Sequence, residues 1–263
     1  MDAIFANVDA EKIGCVFLLS LPHFPGKLAC RAVAHAFGEN AMTKADKANR
    51  PLTVANHSEG TAYWLGSGYT LSMSFDTLRD KQWQRLMHVI WEHPALYGPL
   101  RDRYAPGEDP TARLPIEALP PTASITQHGQ IRVGEAVVGC DVQATRSLFE
   151  CVSIMIPITM FEGLESSPSI RKAHPELEAL DNIYYDIALH VYDVLPFKIA
   201  AIGYERECQL PLELRSEPVL RHDFLLTGNF LATSDVLNAL EGDLSRYQAV
   251  RADLHWLPAS NLS

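Results

Sequence analysis

Tyr69-Thr70-Leu71-Ser72-Met73-Ser74-Phe75 sets four large apolar side chains at alternate positions, with hydroxyls between them. A period of two belongs to a β-strand, whose successive side chains leave the backbone on opposite faces. The segment therefore predicts a strand with one face on a core. Gly66-Ser67-Gly68 before it reads as a tight hairpin turn. Thr61 to Leu65 reads as the preceding strand and Leu52 to Ala55 as the one before that, with Asn56 to Gly60 as turn material. Together these give an antiparallel meander with one buried face. After the strand, Asp76 is placed as the N-cap of a helix. Leu78, Leu86, Met87, Val89 and Ile90 supply its apolar stripe, with Trp83 near the seam, and it ends near His93-Pro94.

Upstream, Ile13 to Leu21 is a near-continuous apolar run, the signature of a buried strand. Pro25-Gly26 then opens a helix with Leu28, Ala29, Ala32, Val33, Ala36 and Phe37 on one face, stopped by Gly38. Downstream the character changes. Prolines 99, 106, 110, 115, 120 and 121 interrupt any regular ladder, so this stretch reads as a linker or a long surface excursion. Strands resume around Ile125 to Cys140. Val152 to Phe161 reads as a central strand in which Pro157 marks a bulge or edge. A helix follows Pro175, with Leu177, Leu180, Ile183, Tyr184, Ile187 and Val191 at helical spacing. Lys198 to Tyr204 and Phe224 to Leu231 read as strands, Ser234 caps a helix to about Tyr247, and Val250 to Trp256 closes the chain.

Antiparallel strands with helices packed on one face make this an α+β protein. The expected organisation is an N-terminal half over 1–98, a proline-rich linker or excursion over 99–124, and an acidic C-terminal half over 125–263. Phe75-Asp76 and Phe230 to Ser234 each set an aromatic strand end before a capped helix, which invites reading the halves as distant repeats.

The net charge of −10 is unevenly placed. Residues 1–124 carry 12 basic and 13 acidic side chains, whereas 125–263 carry 10 and 19, a net of −9. Such a balance argues against nucleic acid, whose phosphates need a basic footprint. It favours encounter with a basic partner. No basic stretch precedes an apolar one at the N-terminus, so a secretory signal is not expected. Val152 to Phe161 is too short an apolar run to span a bilayer. Cys15, Cys30, Cys140, Cys151 and Cys208 are odd in number and widely spaced. They read as buried thiols, which fits a reducing, cytoplasmic setting.

The candidate chemistry is thin. His88 and His93 share a helix at a gap of five, where zinc-type helix ligands want three or four. His190 with Asp193, and His222 with Asp223, lack a third ligand nearby in sequence. Gly66-Ser67-Gly68 is no nucleophile elbow, and no phosphate-binding glycine loop occurs. No metal, cofactor or catalytic residue is expected. A hydrolase with a carboxylate or histidine site assembled by the fold stays open as the alternative, since such pairs leave no sequence spacing. An adaptor in a secretion apparatus is a third.

Two stretches carry a resemblance. Trp64-Leu65-Gly66 with Tyr69 to Phe75 is one; the other runs from Trp83-Gln84-Arg85-Leu86 to His93-Pro94-Ala95-Leu96-Tyr97-Gly98. Over residues 60–100 the chain resembles bacterial polymorphic-toxin immunity proteins of the immunity protein 52 family. That resemblance implies a cytosolic binding protein without cofactor. Its partner would be a toxin, typically a nuclease of the restriction-endonuclease-like kind delivered by type VI secretion. An acidic surface suits the basic groove of a nuclease. The partner-binding residues expected on this view lie on the helix after Pro175: Glu176, Glu178, Asp181 and Asp186 for charge, with Tyr185 and Tyr192 off the core stripe as aromatic anchors.

Overall fold

The computed structural model describes residues 54–55, 60–116, 119–120, 123–146, 150–161, 177–206, 208, 211–240 and 244–258. The strand and helix expected over 13–37 lie outside them. The Tyr69 to Phe75 segment is the centre of the fold, as β1 (Gly68–Phe75). It lies in one nine-stranded antiparallel sheet with β2 (Leu96–Leu100), β3 (Ser124–Val133), β4 (Ala136–Arg146), β5 (Glu150–Pro157), β6 (Ile199–Tyr204), β7 (Phe230–Thr233), β8 (Gln248–Ala249) and β9 (Leu254–Leu257). Their order is β2-β3-β4-β5-β1-β6-β7-β9-β8. Five helices accompany it among the described residues: α1 (Asp80–Trp91), α2 (Glu178–Val194), α3 (Pro211–Ser216), α4 (Pro218–Thr227) and α5 (Ser234–Ala239). The α+β class follows.

β1 does not sit in a local meander. Its neighbours are β5, with Leu71 opposite Ile154, and β6, with Leu71 opposite Ile202. Strands from either side of the 99–124 stretch thus pair directly. Its hydroxyl positions have little exposure too: Thr70, Ser72 and Ser74 are buried along with Leu71 and Met73. Thr61 to Leu65 is not a strand. Gly60–Trp64 forms a 3-10 turn, closed by the Leu65 amide on the Ala62 carbonyl at 3.3 Å. Thr159 pins this turn over the end of β5, donating its hydroxyl to the Tyr63 and Leu65 carbonyls at 3.0 and 2.6 Å. Gly66-Ser67-Gly68 therefore leads a turn into a strand and is not a hairpin loop.

α1 and α2 lie on one face of the sheet. The α1 stripe is buried as its spacing requires, with Trp83, Leu86, Met87 and Ile90 fully enclosed. Its N-terminus differs from expectation. The Gln82 side chain accepts the Arg79 amide at 2.9 Å, while Asp76 instead faces Lys198 at 3.4 Å. Pro94, which favours extended backbone before it, follows the end of the helix. Trp91 is seated in a gap left by two glycines: a Cβ at Gly98 on β2 or Gly129 on β3 would overlap its ring. Its indole N–H donates to the Gln127 side-chain oxygen Oε1 at 2.7 Å. α2 buries Leu180, Tyr184, Ile187, Ala188 and Val191 on the same core.

Among the described residues, a second apolar core covers one end of the other face. Ile199 and Ala201 of β6, with Phe230 and Ala232 of β7, pack against Leu214, Phe224, Val236 and Leu237 of α3, α4 and α5 in a second core. Phe224 to Leu231 was expected to be one strand. Instead Pro218 opens α4, and Gly228 at φ 64° ends it before β7 begins at Phe230. Proline at N1 and glycine past the C-terminus are ordinary helix punctuation. The helix after Ser234 is likewise short, and the closing strand is a hairpin of β8 and β9. Pro157 ends β5, opposite Gly68.

The proline-rich excursion folds back on the sheet. Arg103 reaches the fully buried Asp141 at 2.9 Å, and the Trp64 indole N–H meets the Tyr104 carbonyl at 3.2 Å. Arg113 donates to the Trp91 carbonyl at 2.9 Å and to the Gly98 carbonyl.

Candidate functional site

Over β4, β5 and β1 the second face carries no helix among the described residues, and a cavity of about 550 Å³ opens there. Its floor follows from strand parity. Thr70 and Ser72 of β1 share a face with Ser153 and Met155 of β5, and Ser153 stands opposite Gln143 of β4. The positions that alternate with the apolar core are thus the polar ones: Thr70, Gln143, Thr145 and Ser153. Trp64, Gly66 and Pro157 form one wall.

The opposite wall is the segment after β6. Glu205 adopts φ 47°, an uncommon conformation for a side-chain-bearing residue, and its amide donates to the Gly68 carbonyl at 2.8 Å. The chain turns there and runs back across β1 to Cys208, which forms a disulfide with Cys151 of β5 at a Cα separation of 6.2 Å. The expectation of five free thiols is corrected at this pair. Nothing in the spacing could show it, because the 57-residue separation is closed by the sheet order. With two of the thiols bridged, the argument from cysteine to a reducing compartment loses part of its premise. Cys140 remains free and buried, and burial raises its thiol well above the ordinary range. Cys15 and Cys30 lie outside the described residues.

Arg206 follows Glu205 and lies flat over β6. A Cβ on Gly203 would sit 3.1 Å from its Nε, so glycine makes the space. Its Nη2 donates to the Thr227 hydroxyl at 2.5 Å and the Gly228 carbonyl at 3.4 Å, and the cation lies 6.0 Å from the Phe224 ring centre. Burial holds this guanidinium below its usual pKa.

The residues expected to bind a partner are spread differently. Asp181 points inward, accepting the Tyr69 hydroxyl and, at 2.9 Å, the Asn229 amide. Burial raises its pKa against the pull of those bonds. Tyr192 is buried, edge-on to Phe197, with its hydroxyl on Asp253 at 2.7 Å. Tyr185 is half-buried, its ring 5.0 Å from that of Trp256. Asp181 and Tyr192 thus bond within the fold, where an interface role was expected of them. Both face what the topology folds beside α2, namely β1 and the β8–β9 hairpin, and one helix's spacing cannot reveal that. Glu178 and Asp186 are exposed; Glu176 lies outside the described residues.

A histidine pair joins α1 to α2. His93 is buried, with its Nε2 3.2 Å from Asp186 and its ring 5.3 Å from that of His190. Its Nδ1 accepts the Ala95 amide at 3.2 Å, so Nε2 carries the proton toward Asp186. Burial lowers its pKa, opposed by Asp186. Among the described residues no group of three or more His, Cys, Asp or Glu side chains is placed to hold a metal ion. No described helix is long and apolar enough to cross a membrane. Comparison with family models, with curated proteins and with solved structures finds no match.

Proposed function

We propose that the protein is an immunity-type binding protein that neutralises a secreted toxin, a nuclease delivered by type VI secretion, in the cytoplasm of the cell that makes both. The observation that carries this reading is where the acidic surplus lies. Among the described residues of 125–263, Glu135, Glu178, Asp186, Asp193, Glu205, Glu213, Glu217, Asp235 and Asp253 are exposed, against Arg132, Arg215, Arg246 and Arg251. The excess charge is presented to solvent, where it raises the encounter rate with a basic surface.

On α2 the contact narrows to Glu178 and Asp186, with Tyr185 at the margin and Glu176 before them. Inhibition then works by covering the basic groove through which a nuclease holds phosphates. The test is co-expression with the toxin encoded by the neighbouring gene, followed by binding measurements at low and high salt. Rescue of growth, and an association rate that falls with salt, are the expected results. Glu178→Gln with Asp186→Asn should slow association further. A neighbouring product that is not toxic, or toxicity that this protein leaves untouched, would sink the reading.

A further inference from the structure

The cavity on the open sheet face has an electrostatic peculiarity that the proposed function does not use. A guanidinium has five N–H donors. Those of Nη2 on Arg206 go to Thr227 and Gly228, both neutral acceptors. The Nε and Nη1 donors meet no acceptor among the described residues, and no described carboxylate lies within ion-pair distance. A part-buried cation held by neutral acceptors gains stability when an anion joins it. Beside it the floor adds further neutral donors, since the Thr70 and Ser153 hydroxyls and the Gln143 amide belong to residues that line the cavity. Met155, Trp64, Pro157 and the Cys151–Cys208 disulfide add apolar lining. At about 550 Å³ the space falls within the roughly 300–1,000 Å³ usual for small-molecule sites.

We propose that this cavity binds a small monocarboxylate with an apolar tail. Arg206 takes the carboxylate through Nε and Nη1 in two-point pairing. The Thr70 and Ser153 hydroxyls donate to its outer lone pairs, and the tail lies along Met155 toward Trp64. A single negative charge fits better than a phosphate. Among the described lining residues Arg206 is the one cation, and Glu205 on the exposed rim repels additional negative charge. The proposal stands apart from the toxin-binding reading and neither needs the other.

The experiment uses the full chain and a set of paired probes: hexanoate, phenylacetate and indole-3-acetate, each beside its neutral amide, with inorganic phosphate at matched ionic strength. Titration calorimetry and melting temperature are read for each. At least one carboxylate should bind and raise the melting temperature, with its amide weaker by tenfold or more. Glu205→Gln should bind the same carboxylate severalfold more tightly, which a merely structural role would not produce. Arg206→Gln should abolish binding. Because Arg206 also holds the Thr227–Gly228 corner, Ser153→Leu gives a second reading: it fills the floor, leaves Arg206 in place, and should also abolish binding. The proposal is overturned if no carboxylate binds, if amides or phosphate bind as well, or if either blocking variant binds like the parent.

Discussion

The two faces of the sheet are stabilised by different means. Under α1 and α2 a continuous apolar layer runs from Ile131 on β3 to Leu254 on β9, with Trp83, Tyr184 and Phe197 fully enclosed. On the opposite face the apolar layer of the described residues covers β6, β7 and β9. Beyond it the polar floor of β1, β5 and β4 is walled by a turn at Glu205, an arginine laid over Gly203 and a disulfide. Dispersion and burial hold the first face through many small contacts. The second relies on a few specific links, which leaves an open volume that a close-packed face cannot offer.

The largest consequence is expected on the covered face. Ile90 is fully buried on α1, and Ile90→Ala should lower unfolding free energy by about 2–5 kcal/mol, read from a denaturant midpoint. A change near zero would mean that the helix layer is not the main source of stability. On the open face the comparable test is covalent. Replacing Cys151 and Cys208 together by serine removes a 57-residue cross-link and should cost about 2–4 kcal/mol under non-reducing conditions. If the midpoint stays put, the wall is held by its own packing and the contrast between the faces collapses.

The smallest effect sharpens the covered face by pH. Burial keeps His93 below the ordinary histidine value of about 6.5, so the folded state favours the neutral ring. The unfolded chain then binds the proton more readily, and the stabilisation is complete above that value. It is lost as pH falls through 6.5 toward the lowered folded value. His190 and Asp186 face the same ring and pull in opposite directions, with Asp186 partly offsetting the effect of burial. His93→Gln should flatten this part of the stability profile between pH 7.5 and 5.5. An unchanged slope would assign the dependence to another group.

What the sequence disclosed follows how local each signal is. β1 and the stripes of α1 and α2 were legible because periodicity is written within one element. So was the α+β class. The neighbours of β1 were not, since pairing with β5 and β6 joins segments far apart in the chain. Phe224 to Leu231 misled because its apolar density hid a proline start and a glycine stop. The cavity was invisible for a related reason. Thr70 reads as the outer face of a strand with one buried face, and only sheet order brings it beside Ser153, Gln143 and Arg206. Tyr192 shows the reverse case: off the core stripe of its own helix, it is buried by a hairpin some sixty residues later, where Asp253 receives its hydroxyl.

The seat of Trp91 has a consequence for strand alignment. Its ring occupies the space above Gly98 of β2 and Gly129 of β3 at once, so it acts as a dowel passed through two boards. Were β3 to slide by two residues, Gln127 or Ile131 would come beneath the indole in place of Gly129, and the ring would have no room. The glycines and the tryptophan thus specify one alignment of the sheet edge against all its neighbours. The clash at Gly98 is with the Trp91 ring alone, so an alanine there should be tolerated when Trp91 is made small and costly when it is not, whereas at Gly129 the Tyr97 carbonyl oxygen bars a side chain in either case.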